Sequence, residues 1–399
     1  MKTKAAITIR HGYLITMDDA DTIITDGALA LGEDGRVLAL GPDAEISATY
    51  VADREIDARG APVHPGFVEC HLHASFHLYR GALPDQMVEA EAFDSFEGPF
   101  YNTITDEDEY LSVMLACIEM VRNGTTCFME AGTVLNPEMA ARAAQQVGVR
   151  AILGDAFIWD QAQDLAMGKV DADACPGCAA QAKLHSLIDR APRTREEAMA
   201  SLGGQLSRNV DPEALVTGHV AVLGLGTASE DLMMAAKQKA DEAGVILNIH
   251  QSYSPADTQS DRARFGKDPL LHLDEIGFLS RNVTFAHGNH LTDAECEVLL
   301  DRGASIAWAP AASMMWGHGS SLHGRHAELW RRGGNIALGS DSPNWSNDFD
   351  IWRQASLAVM SARDAAMSRT HLVAEDGMWM ATRAGARAVG METQIGRLA

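Results

Sequence analysis

Five side chains in this sequence have the types and spacing of a catalytic metal site: His71, His73, His250, His287 and Asp341. Neutral imidazole and carboxylate are ligands that zinc and its neighbours accept, and a catalytic ion keeps one position open for water. In His71-Leu72-His73 the two imidazoles stand at i and i+2 on one face of an extended segment, so both can reach a single ion. The chemistry open to such a set is hydrolysis, because a divalent ion lowers the pKa of its water from 15.7 to about 7 and polarises the bond under attack. Any one of these histidines alone reads as a hydrogen-bonded structural residue. What joins them is where the elements end.

After Gly60 apolar runs alternate with amphipathic segments, the signature of βα repeats and a parallel sheet. The runs are Val63–Cys70, Thr125–Glu130, Val149–Phe157, Val216–Leu223, Val245–His250, Val283–His287, Ser305–Ala309 and Ile336–Ser340. Between them the spacing predicts helices over Asp106–Arg122, Pro137–Val147, Glu230–Ala243, Asp293–Asp301 and His326–Arg332. Thr292-Asp293-Ala294-Glu295 is a capping box, and Gly124, Gly148, Gly244, Gly303 and Gly334 precede strands where a left-handed residue can end a helix. Eight parallel strands with intervening helices close most naturally into a (β/α)8 TIM barrel. A doubly wound open sheet is the alternative, and the first strand lacks the G-x-G-x-x-G turn of its dinucleotide-binding form.

Barrel enzymes place reactive groups at the C-terminal ends of strands. Here the first run leads into His71-Leu72-His73, the fifth ends in His250, the sixth in His287, and the eighth is followed at once by Asp341. The long connection Trp159–Asn209 exceeds a usual βα loop and is expected to form one wall of the site.

The first sixty residues differ in pattern. Ala5–Thr16, Ala28–Leu31 and Val37–Leu40 read as short strands, with Glu33-Asp34-Gly35 as a tight turn. The expected organisation is a small β-sandwich-like domain over residues 1–60 and the barrel over 61–399.

A chain of 399 residues suits a barrel with something appended, and 46% hydrophobic with 22% charged residues is a globular composition. The net charge of −23 disfavours nucleic acid and anionic membranes as partners, leaving a small-molecule substrate. No run of 18 apolar residues occurs and Met1-Lys2-Thr3-Lys4 opens no apolar signal core, so the expected location is cytoplasmic. The expected assembly is a homo-oligomer, a dimer or higher. Of the six cysteines, Cys175-Pro176-Gly177-Cys178 has redox or zinc half-site spacing but no second pair to complete a structural zinc site.

The stretch Pro65-Gly66-Phe67-Val68-Glu69-Cys70-His71-Leu72-His73, preceded by Ile56-Asp57-Ala58-Arg59-Gly60, resembles the opening motif of the amidohydrolase superfamily. Gly339-Ser340-Asp341-Ser342 with Ser346-Asn347-Asp348 resembles the strand-eight motif of its cytosine deaminase-like branch, which includes the triazine hydrolases. The similarity runs to Met380-Ala381-Thr382-Arg383-Ala384-Gly385-Ala386. It implies that His71, His73, His250 and Asp341 bind one divalent ion, with His287 as the catalytic histidine beside the reactive water. Zinc is the expected ion, and iron, cobalt or manganese would fit the same donors. Binuclear relatives use a carboxylated lysine at strand four, where Val216–Gly224 has none, so a mononuclear site is expected. The resemblance also implies further strands of the small domain after Gln394–Ala399; with the sequence ending there, the N-terminal sheet is expected to carry an unpaired edge.

One departure bears on the substrate. Deaminases of the branch carry a glutamate three residues after the strand-five histidine, and His250-Gln251-Ser252-Tyr253 places tyrosine there. A ring must be protonated on nitrogen as water adds, whereas an amide, urea or carbamate carbonyl can lean on the metal and His287. The sequence therefore favours amide-, urea- or carbamate-type C–N hydrolysis; the alternative is a deaminase or dechlorinase of a pyrimidine, purine or triazine. Glu130, or one of His290, His318 and His323, is a candidate for the missing acid. Tyr253 either packs on substrate or donates to an oxyanion, Arg80 is a candidate for an anionic or carbonyl group, and Trp316 and His318 are candidates for substrate contact. A non-catalytic scaffold is the competing class, and it leaves the joint presence of all five strand-end residues without a cause.

Overall fold

The computed structural model describes residues 2–173, 183, 188–211 and 213–398, and the chain forms two compact units, Met1–Gly66 with Met391–Ala399, and Phe67–Gly390. Cys175 and Cys178 lie outside the described residues.

The smaller unit is a five-stranded mixed sheet. β1 (Thr3–Ile15) pairs antiparallel with β2 (Ile23–Leu31), which pairs antiparallel with β3 (Val37–Pro42); β4 (Tyr50–Asp57) and β5 (Pro62–Val63) run parallel to β1. The helix α1 (Asp43–Thr49) buries Ile46 against Ala5, Ala28 and Ala30. β4 escapes the sequence pattern because none of its side chains is buried, so it lacks the apolar alternation that marks a half-buried strand. Val63 pairs with β1, so the smaller compact unit runs to Gly66. Residues 391–398 belong to this unit, where Leu398 N–H donates to Thr16 O at 2.8 Å.

The larger unit is the barrel. β6 (Phe67–Leu72), β7 (Thr125–Glu130), β8 (Arg150–Leu153) and β9 (Val216–Gly218) form one parallel run. β10 (Val220–Gly224), β11 (Leu247–Gln251), β12 (Val283–His287), β13 (Ser305–Trp308) and β14 (Asn335–Leu338) form a second. β9 and β10 are one barrel strand broken at His219, whose N–H donates to Leu153 O at 3.0 Å and whose Nε2 lies 2.8 Å from Glu130 O. The circle closes between Leu72 and Asp341, which form a parallel bridge. The strands are buried on both faces, as parallel strands covered by helices must be.

The helices begin and end where local chemistry says. α2 (Asp106–Arg122) starts on a Thr105/Asp108 capping box, α3 (Pro137–Val147) on the Asn136 side chain with proline at its first turn, and α4 (Glu230–Ala243) on Ser229. Gly148 and Gly244 close α3 and α4 with positive φ. No described helix is long and apolar enough to cross a membrane.

Candidate metal centre

The barrel fold brings the strand-end histidines and Asp341 to one place. His73 Nε2 lies 3.4 Å from Asp341 Oδ1, His71 Nε2 lies 3.6 Å from the same oxygen, and His250 Nε2 lies 3.2 Å from His73 Nε2. His287 Nε2 is 3.9 Å from the other oxygen, Oδ2. Ligands about 2.1 Å from one tetrahedral ion stand about 3.4 Å apart, which is the spacing observed. Among the described residues, the groupings of donors close enough to share an ion are drawn entirely from these five. His318, His323 and His326 form no such grouping among the described residues.

The donors fit a cation on their own chemistry. His250 Nδ1 faces the Leu223 carbonyl, which can only accept, so that nitrogen carries the ring proton. Thr133 Oγ1 donates to Glu130 Oε1 at 2.8 Å and therefore accepts from His73 Nδ1 at 2.9 Å. Both Nε2 atoms then present lone pairs to each other across 3.2 Å, an arrangement that a cation between them stabilises. Burial drives the His250 imidazole well below its usual pKa and His73 down to about 3, so a shared proton does not resolve the contact. His71 is fully buried, and neither of its ring nitrogens has a hydrogen-bond partner among the described residues.

Backbone conformation aims two of the groups. His287 and Asp341 are non-glycine residues with φ of 76° and 65°, a left-handed conformation costing on the order of 1–3 kcal/mol each. The β12 strand thus turns sharply at His287, whose carbonyl accepts from His326 Nε2 at 2.7 Å, and His326 in turn stacks on Trp308 at 4.4 Å.

Above the histidines opens a cavity of ≈ 140 Å³. Its walls are largely aromatic, with Phe76, Phe93, Tyr101, Phe157 and Trp345, and the long connection after β8 contributes Ile188. Tyr253 lines it, with its ring 5.9 Å from that of His287. Four other expected contacts are not among the lining residues. Arg80 pairs with Glu119 at 2.8 Å, because helix α2 offers a carboxylate beside it. Glu130 is folded back on Gly132 N, Thr133 N and Thr133 Oγ1, so it supports His73 through Thr133 and does not reach substrate space. Trp316 and His318 pack behind the wall against Trp345, at 4.7 and 5.6 Å. His290 is held on the His318 carbonyl, and its ring lies 6.3 Å from that of His323.

Two acids on the cavity escaped the sequence reading, the buried Glu97 and the half-buried Asp257. Glu97 lies in a short helical run, residues 89–103, within what the sequence offers as a loop. The available signal was a glutamate set among Phe93, Phe96, Phe100 and Tyr101 in the connection after the first barrel strand, on the reactive face.

A closed parallel barrel carrying convergent imidazoles and a carboxylate at its strand ends is the class of metal-dependent hydrolases. Residues 63–399 match the amidohydrolase family. The chain belongs to that family and is an enzyme hydrolysing carbon–nitrogen bonds other than peptide bonds. It is 30% identical over 394 residues to a 5'-deoxyadenosine deaminase of Methanosarcina mazei, covering 98% of this chain and 81% of the relative. A 5-methylthioadenosine/S-adenosylhomocysteine deaminase of Syntrophobacter fumaroxidans is 29% identical over 396 residues, covering 99% and 82%. Among solved structures, a zinc-bound adenosine deaminase from Xanthomonas campestris superposes with a TM-score of 0.86 at 23% identity, covering 100% and 83%. An atrazine chlorohydrolase from Arthrobacter aurescens complexed with zinc gives 0.82 at 20%, covering 98% and 84%. The relatives favour the deaminase alternative over the amide, urea or carbamate reading drawn from Tyr253.

Proposed function

We propose that this protein is an aminohydrolase that removes the exocyclic amino group of an N-heterocycle, using one divalent ion held by His71, His73, His250 and Asp341. The observation that carries this reading is the aromatic-walled cavity opening onto His73, His250, His287 and Asp341, a shape suited to a flat ring. The deaminase names of the relatives at 29–30% identity support it. The preference for an amide or urea rested on the absence of an acid near strand five, and a buried carboxyl, Glu97, on the cavity wall removes that premise.

When bound, the ion supplies a water acidic enough to lose a proton near neutral pH and a positive centre for the developing charge, and zinc suits the donors best. Asp341 turns Oδ1 toward His71 and His73 and Oδ2 toward His287, so it can take a proton while facing the ion. His287 orients the attacking water and stabilises charge on the tetrahedral carbon's oxygen.

The test is ammonia release by the zinc-loaded protein from aminopurines, aminopyrimidines and aminotriazines, beside aryl amides, ureas and carbamates. Turnover is expected from ring amines alone, lost on chelation and restored by zinc. Cleavage of amides or ureas with no release from any ring amine would overturn the reading.

A further inference from the structure

Ring deamination needs an acid that can reach a ring nitrogen as water adds to the neighbouring carbon. Besides the strand-end groups, the cavity is lined by four titratable side chains with a proton to give: Glu97, Tyr101, Tyr253 and Asp257. Tyr101 is a poor donor, since burial pushes its phenol well above the usual range. Tyr253 is a poor donor, since burial first and the charge of Glu89 next push its phenol well above the usual range. Asp257 is occupied locally: it sits in the first turn of α5 (Pro255–Phe265), where Oδ2 accepts the Tyr253 N–H at 3.2 Å.

Glu97 differs from all three. One of its oxygens, Oε1, accepts from Trp345 Nε1 at 3.0 Å and from Asn344 Nδ2 at 3.2 Å. Trp345 is itself fixed between Phe93 and Trp316, with ring centroids 5.8 and 4.7 Å away, so the carboxyl is held in one orientation. Its other oxygen has no hydrogen-bond partner among the described residues. Burial raises this carboxyl to about 7, so a large fraction carries a proton at neutral pH.

We propose that Glu97 is the catalytic acid of this site, presenting Oε2–H to the ring nitrogen beside the carbon that loses its amino group. This rests on the aminohydrolase reading above. The water oxygen bonds to the ring carbon as the water loses one proton to Asp341, and the C=N electron pair moves to the ring nitrogen, which takes the Glu97 proton. The second water proton, now on the new hydroxyl, passes to the amino group, the C–N bond breaks with its electron pair going to ammonia, and the ring carbonyl forms. Asp341 releases its proton to solvent while Glu97 takes one back, so the net change is ring amine plus water to ring carbonyl plus ammonia.

The experiment is steady-state turnover of the best aminopurine or aminopyrimidine found for the zinc-loaded wild type, by Glu97→Gln, Glu97→Asp and Asp257→Asn, with zinc content measured on each. Glu97→Gln is expected to lower kcat by about 10²–10⁴-fold with KM within about threefold and zinc unchanged. Glu97→Asp, which keeps the acid on a shorter stem, is expected to recover at least tenfold over Gln, and this pair decides the matter even where the amide variant folds poorly. A Gln variant with wild-type kcat, an Asp variant no better than Gln, or a loss of kcat confined to Asp257→Asn overturns the assignment. A wild type that releases ammonia from no ring amine sinks the aminohydrolase reading instead, which keeps the two failures apart.

Discussion

The backbone N–H of Asp341 donates to the carbonyl of His71 at 2.9 Å, so the hydrogen bond that closes the barrel joins two residues whose side chains meet at the metal centre. Closure and ligand geometry are therefore one problem. Nearby, the fully buried Glu69 accepts from Ser340 N at 2.9 Å and His71 N at 3.1 Å, tying the same seam from below.

Gly339 sets the tolerance of that seam. A Cβ there would stand 2.7 Å from His71 Cβ, 2.9 Å from its carbonyl oxygen and 3.1 Å from its nitrogen, none of which can swing away. Gly339→Ala is expected to destabilise the protein by about 1–3 kcal/mol, as overpacking does, and to lower zinc content. Thermal unfolding and metal analysis check this; a wild-type Tm with full zinc would show that the seam is loose.

Thr133 fixes the tautomer of His73 by donating its hydroxyl hydrogen bond to Glu130, which leaves its oxygen to accept from His73 Nδ1–H. Thr133→Val leaves His73 Nδ1–H without its acceptor and is expected to weaken zinc binding about 10–100-fold, with Thr133→Ser restoring it. Competition against a chromogenic chelator gives the number. Affinity in the Val variant within threefold of wild type would mean that another group holds the ring.

Chelation should silence the enzyme without unfolding its barrel, since the core of β-strand side chains is apolar and independent of the ion. Activity is expected to fall below about 1% and to return with zinc, while far-ultraviolet circular dichroism stays unchanged. Loss of the helical signal on chelation would show that the ion holds the fold as well as the site.

In the small unit, Arg10 Nε and Nη2 grip Asp43 at 2.5 and 2.6 Å. The Arg10 hydrogen bonds hold the Asp43 carboxyl down at about 2 against the opposing effect of burial, from an ordinary 3.8. The folded pKa lies below the unfolded one, so the folded state binds fewer protons across this range and the stabilisation is full above about pH 4. It is lost as pH falls toward 2, an effect of about 2 kcal/mol for the shift concerned. Hydrogen-exchange protection factors of the β1–β2 amides at pH 2.5 and 5 read it, and Asp43→Asn should flatten the difference. Equal pH dependence in wild type and variant would assign the acid sensitivity elsewhere.

Much of the architecture was legible because its determinants are local. The boundaries of α2, α3 and α4 follow from Thr105, Asn136-Pro137 and Ser229 at their starts, with glycine closing α3 and α4. β7 and β12 stand where the apolar runs place them, from Thr125 to Glu130 and from Val283 to His287. The run Val149–Phe157 did not survive whole, since the strand stops at Leu153 and Phe157 turns to a positive φ of 51°. Val216–Leu223 is interrupted because buried His219 uses its ring on the Glu130 carbonyl.

What the sequence determined by itself was the periodicity of the strands and the presence of reactive side chains at their ends, since both are properties of residues close in the chain. Which carboxyls face the cavity was decided only by the tertiary structure. Glu130 ends a strand yet turns back on its own loop, while Glu97, from a segment with no strand pattern, is swung onto the cavity wall by contacts with Asn344 and Trp345. Those contacts span about 250 residues, and no local rule of spacing encodes the meeting of groups so far apart in sequence.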